Sequence, residues 1–142
     1  MPKRFTATEK WDRRWFRELS NDYKLLWVYI CDKCDLIGIW YVDIEQASFL
    51  IGAKLDEKEA LRLFEKQIVV LNEGSKWWIK DFVSFQYGDL KPNNNLHKKV
   101  VAMIKSYPQV INSLFTSPEY FEGLVRASNA PQVKVKVKDK DY

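Results

Sequence analysis

The C-x-x-C pattern of Cys31-Asp-Lys-Cys34 has the spacing of thiol–disulfide exchange or of half a zinc site. Redox work would need the first thiol near a helix N-terminus, where the macrodipole lowers its pKa. Both cysteines instead sit toward the C-terminal end of an apolar helical stripe that they complete, so a structural role is expected. Two Cys and one His are too few for a tetrahedral Cys/His zinc site without carboxylates or a second chain. His97 has no Ser or Cys partner in a sequence motif and reads as a surface helix residue or a phosphate contact, not a general base. Asp56, Glu57 and Glu59 cluster where helix capping and the macrodipole already account for acids. The five glycines form neither G-x-x-x-x-G-K-[ST] nor G-x-G-x-x-G. The expectation is a non-enzyme without cofactor or metal.

Cations and aromatics remain. Lys and Arg outnumber Asp and Glu 23 to 19, a net charge of +4 with pI near 9.0. That is compatible with a polyanionic partner but too small an excess to decide by itself, so placement matters. Lys58, Arg62 and Lys66 fall at i, i+4, i+8, opposite an apolar face of Ala60, Leu61, Phe64 and Ile68, and form one cationic ridge. Lys54 precedes them in a turn, while Asp56, Glu57 and Glu59 crowd the end that usually meets base edges and would repel the phosphate backbone. Mixed charge at these spacings is also what a plain solvated helix face carries. Lys76 and Lys80 flank Trp77-Trp78, and strand alternation would turn one Trp outward unless terminal helices shield both. From Leu90 to Pro118 there are four lysines, Lys91, Lys98, Lys99 and Lys105, and no acid. Asn93-Asn94-Asn95 supplies the cap there, and amides, dipole and lysines together would cradle a phosphate. Lys3, Arg4, Arg13, Arg14 and Arg17 form a third, partly neutralised cluster.

The elements that must position these residues follow from periodicity and caps. A chain of 142 residues with 46% hydrophobic content, six Trp, seven Tyr and eight Phe can bury one core. Tyr23, Leu26, Trp27, Ile30, Cys31 and Cys34 share one stripe of a helix over 21–34 capped by Ser20. Ile39-Trp-Tyr-Val predicts a strand over 38–42. Asp43 with Gln46 and Asp56 with Glu59 are capping boxes opening helices over 44–51 and 57–67, separated by the tight turn Gly52-Ala-Lys-Leu. Ile68-Val-Val-Leu and Trp77-Trp-Ile, joined by Asn72-Glu-Gly-Ser, form a hairpin whose Asn and Gly tolerate positive φ. Helix, strand, helix, turn, helix and hairpin is the connectivity of an α+β winged helix-turn-helix, with the third helix for recognition and the hairpin as wing.

The expected division is an N-terminal extension (1–20) packed on the core, a winged-helix core (21–81), a C-terminal helical extension (82–127) and a disordered basic tail or linker (128–142). The extension holds a helix carrying Leu96, Val100, Met103, Ile104 and Tyr107, then a short helix from Ser117-Pro118 to about Ala127. The tail is marked by Val133-Lys-Val-Lys-Val-Lys. Short, charge-interrupted apolar runs suggest no membrane span or signal peptide and hence the cytoplasm of a bacterial host.

Several separated motifs across residues 3–107 carry a resemblance. Phe5-Thr-Ala-Thr-Glu-Lys-Trp-Asp, Trp15-Phe-Arg-Glu-Leu-Ser, Lys24-Leu-Leu-Trp-Val-Tyr-Ile-Cys-Asp-Lys-Cys-Asp, Gly38-Ile-Trp, Ala47-Ser-Phe, Phe85-Gln-Tyr-Gly and Leu90-Lys-Pro-Asn-Asn are involved. Together they resemble the N-terminal winged-helix domain of phage and prophage replication initiators, or replisome organisers, related to DnaD-like primosomal proteins. The resemblance implies origin binding and recruitment of a helicase or its loader. Such proteins often continue into a second, partner-binding domain, so recruitment would lie outside this chain. In DnaD-like proteins the winged helix also self-associates, so one fold carries two roles.

The leading expectation is duplex binding, mainly to phosphates, through Lys54, Lys58, Arg62, Lys66, Lys76, Lys80, Asn94, Lys98 and Lys99. The alternative is an oligomerisation or protein-interaction module of a primosome-type assembly, built on Trp11, Trp40 or Trp77. A dimeric transcriptional regulator is a third reading.

Overall fold

The computed structural model describes residues 3–130. Within them lie eight α-helices and one three-stranded antiparallel sheet, an α+β architecture that divides into two compact units, one ending at Gly88 and the other beginning at Asp89. No helix among the described residues is long and apolar enough to cross a membrane.

The first unit opens with a 3₁₀ turn, Thr8–Asp12, and a short helix α1, Arg14–Arg17, which places Phe16 in the core as the N-terminal aromatics suggested. Helix α2, Asn21–Lys33, buries Leu26, Trp27 and Ile30 on the expected stripe. Ser20 occupies its N-cap position but, contrary to expectation, its hydroxyl makes no cap bond. Its carbonyl accepts from the amides of Tyr23 and Lys24, and exposed Asn21 and Asp22 leave the first turn open to water.

The C-terminus of α2 is closed by a distant residue. The Arg4 guanidinium donates to the carbonyls of Cys31 (3.0 Å), Asp32 (2.8 Å) and Cys34 (2.6 Å), satisfying oxygens the helix leaves without partners. Phe5 is fastened beside it, donating its amide to Gln86 Oε1 and accepting from Gln86 Nε2.

Strand β1, Ile39–Tyr41, is entered through Gly38 at φ 92°. The Asp35 carboxylate accepts from the amides of Ile37 and Ile39, and the Asp35 amide donates to the Ile39 carbonyl, so this loop takes up the outer backbone groups of Ile39 at an open sheet edge.

Helix α3, Ile44–Ile51, has the predicted bounds, with the Asp43 side chain accepting from the Gln46 amide. Gly52, at φ 81°, ends it. The following turn is held by Leu55 N–H to Ser48 Oγ and Asp56 N–H to the Tyr23 hydroxyl. Helix α4, Glu57–Phe64, is capped by Asp56 and is three residues shorter than the 57–67 expected. The Gln67 amide donates to Phe64 O in a tighter turn, which frees Ile68 to pair with Ile79 as the first residue of β2.

Strands β2, Ile68–Leu71, and β3, Lys76–Ile79, enclose a turn in which Asn72, Glu73 and Gly74 all have positive φ. The sheet order is β1-β3-β2, with rows Trp40–Trp77–Val70 and Ile39–Trp78–Val69. Alternation would turn one tryptophan to solvent, yet Trp77 and Trp78 are both fully buried, because this central strand is covered on both faces. Trp77 joins Trp40, Phe16, Trp27, Ile30 and Phe64 in the core, where Trp27 meets Phe64 and Trp15 edge-on at 5.0 and 5.1 Å. Helix α5, Phe82–Tyr87, which no periodicity announced, completes this unit.

The second unit is helical. Helix α6, Asn95–Ile104, is capped by Asn94; α7, Pro108–Leu114, was not expected; α8, Pro118–Asn129, starts at a Ser117 cap as predicted. Helix α6 packs against both α7 and α8, and Phe115 meets Phe121 at 5.0 Å. The tail expected from residue 128 is helical through Asn129, and residues 131–142 lie outside those described.

Candidate nucleic-acid interface

The nominal recognition helix is less cationic than its sequence suggested. Arg62 is committed to Glu59, with Nε and Nη2 at 3.0 and 2.6 Å from the carboxylate. The bond raises the guanidinium pKa and holds the Glu59 carboxyl below its ordinary range. Glu59 therefore does not close the capping box back onto Asp56; only the Asp56 half of that box forms. Lys66 lies beyond the end of α4, so the predicted three-turn ridge reduces to exposed Lys58, with exposed Lys54 in the preceding turn.

On the β2–β3 hairpin, Lys76 Nζ sits 4.7 Å from the centre of the Tyr41 ring across the sheet, a cation–π contact that draws it along the surface. Lys80 is half-buried at the end of β3, and its amide donates to Gln67 O. From residue 3 to Gly88 the first unit carries fourteen Lys and Arg and fourteen Asp and Glu, and has no formal excess of charge.

The second unit differs. Asn94 Oδ1 accepts from the His97 amide, and His97 Nδ1 accepts from the Lys91 amide at 2.9 Å, which folds the loop from Lys91 over the first turn of α6. His97 is thus a structural acceptor here. Lys98 is half-buried and Lys99 exposed on that turn, and no acid lies between Leu90 and Pro118. The neutral cap leaves the dipole at the start of α6 uncompensated, so helix and lysines present positive potential on the same end.

The cysteines are free thiols. Burial pushes both up to about 12, against the weaker opposing pull of Lys10 and Arg4 on Cys31 and of Arg4 on Cys34. They are packing residues rather than nucleophiles. Among the proposed interface tryptophans, Trp40 and Trp77 are in the core and cannot meet a partner; Trp11 is exposed while leaning edge-on against Phe16 at 5.0 Å.

Among the described residues, the most exposed large apolar side chain is one that sequence reasoning passed over. Phe49 on α3 is 83% exposed, beside Leu50 at 53%, and Tyr41 on the β1 edge is 61% exposed. The signal was available in Phe49-Leu-Ile, three consecutive apolar residues in an eight-residue helix that can bury only one stripe. Arg4, one of the partly neutralised N-terminal cation cluster, has its guanidinium spent on α2.

No protein-family model, curated protein or solved structure matches this chain.

Proposed function

We propose that the chain is a winged-helix DNA-binding domain of the phage replication-initiator type, acting by binding rather than catalysis and contacting duplex DNA mainly through phosphates. The fold reading rests on the order α2, β1, α3, turn, α4 and β2–β3 hairpin, together with the sheet order β1-β3-β2. The observation that carries the DNA reading is the start of α6, where a neutral Asn cap, Lys98, Lys99 and an acid-free surrounding sequence coincide. Origin binding and helicase recruitment follow only from the motif resemblance.

Asn94→Asp tests this. Asp caps a helix as well as Asn does, so stability should change by no more than a few tenths of a kcal/mol, while the added charge opposes phosphate. In mobility-shift titrations at two salt concentrations, affinity should fall several-fold. Lys98→Ala with Lys99→Ala should reduce the salt slope by about 2, near 0.9 for each phosphate no longer neutralised. Binding that is absent, salt-independent or indifferent to these changes refutes the reading.

The second reading, a self-association module, is favoured by the exposed Phe49, Leu50 and Tyr41. It predicts an oligomer by light scattering that Phe49→Asp converts to monomer.

A further inference from the structure

The first unit contains a cavity of about 310 Å³, roofed by the N-terminal segment and floored by α2, β3 and α5. We infer that this cavity is a binding site for a small, flat, uncharged aromatic molecule carrying a hydrogen-bond acceptor.

The size lies at the lower end of the range, about 300–1,000 Å³, that holds small molecules in proteins. Its walls come from Phe5, Trp15, Trp27, Phe82 and Phe85. Trp15 and Trp27 stand edge-on to each other at 86°, so the two rings offer an aromatic guest differently oriented surfaces for stacked and edge contacts.

Two polar side chains on this lining have bonding capacity unspent among the described residues. The Trp27 indole N–H makes no hydrogen bond to another described residue and is not sealed from solvent. The Gln67 side-chain amide, half-buried on the same lining, makes none either; only its backbone is engaged. Each therefore keeps an N–H that a guest acceptor can take in place of solvent.

Charge sets the class of guest. Arg4, Lys10 and Arg13 line the cavity with Glu9, Asp32 and Asp81, three of each sign. The cations are already occupied: Arg4 by three carbonyls, Lys10 by Ala7 O at 3.3 Å and Arg13 by Glu9 at 4.0 Å. Asp32 and Asp81 are exposed to solvent. With no net field, an ion would lose hydration without recovering it, whereas an uncharged ring loses only unfavourable contact with water.

The roof is built to persist with or without a guest. Arg4 and the reciprocal Phe5–Gln86 pair fasten one end, and Phe16 is buried in the core at the other.

The test is calorimetric and NMR titration of the full chain with three probes: quinolin-2-one (neutral, with a carbonyl acceptor), naphthalene-2-carboxylate and 2-naphthylmethylammonium. Saturable binding of quinolin-2-one is expected, at least about tenfold tighter than either ion and insensitive to salt. Gln67→Ala should weaken it about tenfold, the effect of removing one buried hydrogen bond. Val28→Phe, which adds a ring to the lining, should abolish it while leaving amide shifts away from the cavity in place. If Val28→Phe fails to fold, Gln67→Ala and the mapping of shifts onto Trp15 and Trp27 indole signals carry the decision. No saturation up to about 1 mM, tighter binding of either ion, or shifts that avoid both indoles overturns the inference.

Discussion

Gly38→Ala should be among the most damaging single-methyl additions in this protein, for two separable reasons. Gly38 has φ 92°, a conformation that costs an L-residue about 1–2 kcal/mol. A Cβ built there would lie 2.5 Å from Phe82 Cβ and 2.8 Å from its Cγ. Phe82 cannot yield easily: it is buried, it starts α5, and the Arg4 guanidinium lies 5.3 Å from its ring centre. Overpacking of this kind costs about 1–3 kcal/mol, so the sum is about 2–5 kcal/mol. Gly52→Ala is the internal control. Gly52 has a similar φ of 81° but nothing within 4 Å of the added methyl, so it should lose only the backbone part, about 1–2 kcal/mol. Urea denaturation of the three proteins, with m-values compared to confirm that the transition is unchanged, reads the difference directly. Adding Phe82→Ala, which removes Cγ and the ring but keeps the Cβ at 2.5 Å, should recover only the ring's share of the Gly38→Ala cost through a favourable coupling, even though Phe82→Ala alone opens a cavity. If Gly38→Ala costs no more than Gly52→Ala, the close approach between the β1 entrance and α5 does not govern this region.

Arg4→Ala should destabilise by about 2 kcal/mol, by removing charge-assisted bonds to the end of α2, and should expose residues 5–12 to limited proteolysis. Asp56→Ala should cost about 1 kcal/mol by removing the α4 cap, and Asp56→Asn much less, both measured by thermal melting. Between pH 9 and 12 stability should fall as pH rises. Thiols ordinarily near 9.0 ionise in the unfolded chain while Cys31 and Cys34 keep their protons to about 12, which contributes up to about 1.4 kcal/mol per pH unit for each thiol. Comparison with Cys31→Ala/Cys34→Ala isolates that part of the slope. At pH 8 alkylation of the native thiols should proceed about a thousandfold more slowly than in the denatured chain, following the three-unit difference.

Local signals were legible where one element contains both the cause and its effect. Asp43 and Asp56 lie three residues from the amides they cap, and the apolar stripe of α2 repeats within thirteen residues. Helix α5 is different. Its six residues are too short for a period, and its position depends on Gly38, 44 positions earlier, having no side chain. Arg4 was hidden for the same reason, since its partners lie 27 to 30 residues away. The burial of both Trp77 and Trp78 defeated alternation because that rule presumes a solvent face, which β3 lacks at its centre. The cationic ridge on α4 was overestimated because Arg62 and Glu59, three residues apart, compensate each other along the helix.

The contrast between two caps ties stability to binding. A helix start needs an acceptor for its free amides, and Asp and Asn serve about equally well. Helix α4 uses Asp56 and adds Glu57 and Glu59 in its first turn, so the same charges that complement its dipole repel a phosphate backbone there. Helix α6 uses Asn94, with no acid in its first turn, and keeps its positive end available beside Lys98 and Lys99. Folding and polyanion binding compete at the start of α4 and are compatible at the start of α6. Residues 3–88 carry no formal charge excess, so the proposed phosphate binding would have to draw on lysines placed where no acid is needed for folding, and the start of α6 meets that condition.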